Sequence, residues 1–131
     1  MSPRVFALAA ILACAPATIA KAECLKAEQE GQAVEGRLER VRFIDVAYGN
    51  RVEVAFILNL ASPACLEGSD EYDNVPGTLK IHVFSMDKAM LAQLGTSVGR
   101  RIRVLGWAFG EHTAHHHAPI VMRVTTARVL P

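Results

Sequence analysis

From Arg51 to Leu60 the chain alternates: Val52, Val54, Phe56, Leu58 and Leu60 are interleaved with Arg51, Glu53, Ala55, Ile57 and Asn59. A period of two sends successive side chains to opposite faces, so this run predicts a strand that lays the Val52-to-Leu60 face on a core. The segment before it, Glu35 to Tyr48, carries Leu38, Val41, Phe43 and Val46 at a less regular period, which predicts one long strand with a bulge or bend. Tyr48-Gly49-Asn50 reads as the turn that makes the two a hairpin.

Between Ser62 and Gly77 the alternation stops. Pro63, Gly68, Pro76 and Gly77 frame Glu67, Asp70, Glu71 and Asp73, a pattern expected of a solvent-facing acidic loop. Leu79 to Phe84 predicts a third strand, and Met86 to Leu94 a helix of about two turns, with Ser85 as its cap and Gly95 beyond it. Ile102 and Val104 then alternate with Arg101 and Arg103, and Gly106 permits a bend or close approach before Trp107 and Phe109. Ile120, Met122 and Val124 form the closing strand, with Pro119 at its start. Three strands, one short helix and two strands predict a mainly β fold. The expected form is a five-stranded OB-like barrel with the helix between the third and fourth strands, whose closure protects the edges of a short sheet. A two-layer sheet with the helix on one face is the alternative.

The first residues have another rhythm. Arg4 precedes an apolar run, Val5 to Cys14, that is too short to cross a bilayer, and Thr18 and Ala20 are small residues suited to cleavage. The division expected is a signal peptide over 1–20 and a single β-barrel domain over 21–131, acting in the periplasm or outside the cell. Ile11-Leu12-Ala13-Cys14 also resembles a lipoprotein cleavage box, which would leave Cys14 lipidated and the domain tethered to a membrane; the free form is preferred because Leu12 is uncommon at its place. No integral membrane span is expected. Past the leader only Cys24 and Cys65 remain, an even pair in an oxidising compartment, so they are expected to bridge. Closing a loop of roughly 40 residues is worth about 4 kcal/mol on chain-entropy grounds.

Lys and Arg number 14 and Asp and Glu 13; loss of Arg4 with the leader brings the domain close to neutrality. That gives no general electrostatic attraction to nucleic acid, which is not expected as a partner. A protein or a small molecule is. On the fourth strand Arg101, Arg103, Trp107 and Phe109 share one parity, with Arg123 able to lie across from them, and this set can stack a ring-bearing ligand. The same residues also fit a structural role, the rings covering a barrel end or packing under the helix.

The stretch Gly110-Glu111-His112-Thr113-Ala114-His115-His116-His117-Ala118-Pro119 holds four imidazoles in six positions. Neutral imidazole suits zinc, copper or nickel, and His112, His115 and His117, with His82 from the third strand, are the candidate ligands. In an extended segment His115 and His117 face one way and His116 the other. The competing reading is a hairpin turn in which Thr113 and His112 bond back to the backbone and one or two imidazoles are buried against a carbonyl or carboxylate. A third is titration of the cluster between about pH 7 and 5. No cofactor beyond such a metal is indicated. Catalysis has little support: Ser62, Ser69, Ser85 and Ser97 lack a G-x-S-x-G setting, the acidic loop lacks the spacing of an EF-hand, and no Gly-rich phosphate cradle follows a strand.

A family resemblance joins several of these features. Cys24-Leu25, the segment Leu60-Ala61-Ser62-Pro63-Ala64-Cys65, Val98-Gly99 through Val104-Leu105-Gly106, and His112-Thr113-Ala114-His115-His116-His117-Ala118-Pro119-Ile120 together resemble the small secreted bacterial family catalogued as domain of unknown function 4431. The first hairpin here is short and lacks the Pro-rich insertion of some members. The resemblance implies an exported domain with a Cys pair and no settled activity. Two function classes follow: an exported binding domain for a protein or small ligand, and a transition-metal-associated protein using the His-rich turn.

Overall fold

A computed structural model describes residues 10–16 and 23–131. Residues 10–16, the part of the expected leader that is described, are exposed and without regular structure, whereas the cleavage positions near Thr18, Ala20 and Ala22 lie outside the described residues. Among the described residues no helix is long and apolar enough to cross a membrane.

The strands are β1 (Leu25–Lys26), β2 (Gln32–Asp45), β3 (Arg51–Glu67), β4 (Val75–Phe84), β5 (Arg101–Gly110) and β6 (Ile120–Val129), with the helix α1 (Lys88–Thr96) between β4 and β5. β2 and β3 form the expected hairpin, paired from Arg37↔Asn59 to Asp45↔Arg51. Its tip is a single 3-10 turn, Val46–Tyr48, followed by Gly49 and Asn50 at φ 73° and 58°. β3 then pairs antiparallel with β4, β4 parallel with β6, β6 antiparallel with β5, and β5 antiparallel with β2. Five strands thus close a ring, and this connectivity is that of an OB-like barrel. β1 lies outside the ring as a short parallel addition to the end of β3. The Cys24–Cys65 disulfide fastens it there, spanning 41 residues of sequence.

Long β2 serves two partners, β5 through its first half and β3 through its second. Its irregular period reflects that change of neighbour; the β2–β3 register itself runs unbroken, and the bulges fall instead in β3–β4 and at Leu105/Gly106. Gly106 is required there because a Cβ would sit 2.0 Å from the Arg123 carbonyl oxygen. The helix starts two residues later than expected. Asp87 is its cap, accepting from the Ala89 N–H at 2.8 Å, while Ser85 turns the chain by accepting from the Asp87 N–H at 3.0 Å. It lays Leu94 and Met90 on the core.

Inside the barrel, Leu38, Leu58, Ile81, Val83, Ile102, Val104, Ile120 and Met122 are wholly buried. The expected burial of the even face of β3 holds at Leu58 but not toward the hairpin tip, where Val52 is 47% and Val54 55% exposed. The hairpin projects past the barrel interior at that point. The covered face is the odd one: Ala55 and Ile57 are buried in a second cluster with Ala118, Val41 and Phe43. The acidic loop also departs from its expected solvent exposure. Asp73 is 2% exposed and its Oδ1 accepts from the Gly110 N–H at 2.8 Å, which ties the loop to the end of β5.

Candidate functional site

The barrel's outer surface carries two rows of side chains set by strand register. Because Ile81, Val83, Ile120 and Met122 point inward, the residues between them point outward. The first row is Ile57, His82, Val121 and Phe109, in register across β3, β4, β6 and β5. The second is Phe84, Arg123 and Trp107. The β5–β6 connection, residues 111–119, folds back over the first row and buries it, whereas Phe84 and Trp107 in the second row stay half-exposed and Arg123 exposed.

Imidazoles hold that connection in shape. The Nδ1 of His116 accepts from the backbone N–H groups of His112 and Thr113 at 3.2 and 3.3 Å, and Thr113 Oγ1 accepts from the His115 N–H at 3.3 Å. His82 Nδ1 accepts from the His117 N–H at 3.2 Å. Both acceptor rings must be unprotonated at Nδ1. Their acidities agree: burial, then the neighbouring His117 and His116 imidazoles, push His82 down to about 4 against an opposing pull from Glu53. Burial is also the main cause that lowers His116, followed by its histidine neighbours.

Glu53 anchors the other side. Its Oε2 meets His117 Nε2 at 2.9 Å and its Oε1 meets His115 Nδ1. Its acidity is increased chiefly by the His117 bond, against desolvation, with His115 adding to the effect. His117 is also stacked on Phe43, centroids 4.0 Å apart and planes at 10°. As the alternation implies, His115 and His117 face together and His116 does not. Asp45, on the same face of the hairpin, completes a group in which one donor atom each from Asp45, Glu53 and His115 lie within 4.8 Å of one another.

The four candidate metal ligands are thereby divided. His115 and His117 share Glu53, and His82 lies beside His117 with ring centroids 5.6 Å apart. His112 is elsewhere, between Tyr72, Phe109 and His116, with its Nδ1 2.9 Å from the Gly110 carbonyl oxygen. The candidate ligand face is divided too. Arg101 and Arg103 both contact Glu35, at 3.1 and 3.3 Å. Phe109 is buried beneath the 111–119 connection, against His112 and His116, rather than under the helix. Trp107 packs on Phe109 at 5.3 Å and Phe109 on Phe84 at 6.1 Å. A cavity of about 290 Å³ opens beside Phe84, lined also by Glu53, Val54, His82 and His115 to His117. Sequence reasoning did not single out Asp45, Glu53, Phe43 or Phe84. The signal available for Glu53 was its place as the one acid on the Ala55 and Ile57 face of the alternating run Arg51 to Leu60.

Residues 80–128, which span the second half of β4 through most of β6, match the family described as "Domain of unknown function (DUF4431)". No curated protein matches the chain significantly. Among solved structures, a chain from a Plasmodium falciparum SSB complex with ssDNA is similar at 13% identity and a TM-score of 0.44, covering 79% of this chain and 96% of that one. The barrel assignment made above stands on the strand connectivity.

Proposed function

We propose that this domain is an exported binding module, recognising a protein segment or small molecule that combines a ring or apolar group with negative charge. The observation carrying this reading is the Phe84–Arg123–Trp107 row, a cation flanked in register by two half-exposed rings. Rings offer stacking area at small entropic cost, and an arginine beside them supplies charge-assisted hydrogen bonds to a carboxylate or phosphate. Arg123 makes no ion pair among the described residues, unlike Arg101 and Arg103, which are engaged with Glu35. The recognition role therefore centres on Trp107 and Arg123, with Arg101, Arg103 and Phe109 as flanking or supporting residues.

Export is supported by the apolar leader and by the bridged Cys24–Cys65 pair, which suits an oxidising compartment. The near balance of charge favours a partner other than nucleic acid. Trp107 is the single tryptophan, so its fluorescence reports on the site directly. The test is capture from a periplasmic extract of the native host by immobilised domain, beside Trp107→Ala and Arg123→Ala variants with unchanged melting temperatures. A partner retained by the parent, lost by both variants and altering Trp107 emission is the expected result. Equal retention by all three would refute the site, and tight binding of a single-stranded oligonucleotide at physiological salt would refute the partner class. Export is tested by cell fractionation of the full chain with and without residues 1–20. The second reading, metal association, is favoured by the Asp45–Glu53–His115 gathering.

A further inference from the structure

We infer that Asp45, Glu53 and His115 form a site for a divalent transition-metal ion, with zinc the best fit, that fastens the 111–119 connection to the β2–β3 hairpin. The hairpin builds the acidic half. Phe43 pairs with Glu53 and Asp45 with Arg51, so Asp45 and Glu53 are diagonal neighbours on one face of a two-stranded ribbon. Two carboxylates held this close supply two anionic donors to one cation. Asp45 is also oriented before any ion arrives, because its Oδ1 accepts from the Ala47 N–H at 3.1 Å and its Oδ2 is left for coordination. The third donor, His115, comes from the connection that folds over the barrel, and all three donor atoms fall within 4.8 Å of one another.

Two oxygens and one imidazole nitrogen favour zinc, nickel or manganese over calcium and magnesium, which prefer oxygen alone, and over copper(I), which prefers sulfur. Ligand distances of about 2.0 to 2.2 Å set tetrahedral donors about 3.4 Å apart, so the His115 imidazole must exchange its contact with Glu53 for the ion, a movement open to this exposed side chain. His117, already on the second oxygen of Glu53, orients that carboxylate from the other side. His82 and His116 use their Nδ1 atoms to accept backbone N–H groups, so the ion is assigned to the hairpin and not to the run of histidines as a whole. This site is separate from Trp107 and does not depend on recognition there.

The test is calorimetric titration of the tag-free, disulfide-intact domain with zinc chloride near pH 7.5. One saturable site per chain is expected, weakened at least about tenfold by each of Asp45→Asn, Glu53→Gln and His115→Ala and unaffected by His112→Ala or Trp107→Ala. Asp45→Asn decides the matter, since its amide oxygen can still accept from Ala47 and the turn survives while the charge is lost. Should Glu53→Gln loosen the connection, metal-free melting curves reveal it and the Asp45 variant remains interpretable. Absence of a saturable site, or a site that persists in Asp45→Asn, overturns the assignment. So does one that is lost in His112→Ala with an unchanged metal-free melting curve.

Discussion

His82 sits in the outward row of β4 yet is only 9% exposed, and its value as an acceptor depends on remaining neutral. The unfolded ring takes a proton near pH 6.5, the folded ring only near 4, so between those values the unfolded chain binds more protons. Stability is therefore full above about pH 6.5 and falls as pH drops toward 4, where the effect levels off. Thermal melts across this range should show that decline. His82→Asn, which keeps an acceptor near the Nδ1 position, should flatten it; an unchanged slope would place the acid sensitivity elsewhere. Asp73 and Gly110 form a second pair of interdependent residues. A Cβ on Gly110 would fall 1.5 Å from the Tyr72 carbonyl oxygen, so Gly110→Ala must displace backbone and should cost at least about 2 kcal/mol in denaturant unfolding. Asp73→Ala strands the buried Gly110 N–H and should cost about 1 to 3 kcal/mol, with Asp73→Asn nearer the parent.

Among the elements, the β2–β3 hairpin shows what alternation can and cannot determine. Both parities of β3 contain apolar residues, Val52 to Leu60 on one and Ala55 and Ile57 on the other. The period of two establishes the strand, but which face is dry depends on what lies across it. Inside the barrel that is the rest of the sheet, over Leu58; near the tip it is the 111–119 connection, over Ile57. Replacing Ile57 by alanine should accordingly cost about 2 to 5 kcal/mol, and Val54→Thr should remain within about 0.5 kcal/mol of the parent, as read by chemical denaturation. The reverse order would return the covered face to the even residues. The same reasoning explains Asp45 and Glu53. Nothing in their separation marks them as partners, and only the turn at Gly49 and Asn50 fixes the register that brings them together. The strand order, the helix and the cysteine pair were legible because each rests on local pattern or on counting. The burial of Asp73 was not, since its partner is distant in sequence and its neighbours are acidic and polar.

At the scale of the whole molecule, the disulfide and barrel closure stabilise by different means. The Cys24–Cys65 bridge restricts the unfolded chain and holds the two-residue β1 on β3. Reduction, or Cys24→Ser, should lower the melting temperature by the equivalent of up to about 4 kcal/mol, and the serine variant should be insensitive to reductant. Identical melts of the parent with and without reductant would argue against that contribution. Closure, by contrast, depends on β6, which pairs with β4 on one side and β5 on the other. β6 also follows every other strand in chain order. During synthesis the ring consequently stays unsealed until its final stave has left the ribosome, and until then the growing polypeptide keeps two bare sheet margins. A chain in that state has not yet compacted, so the place of the sealing strand sets the earliest moment at which the native barrel can form.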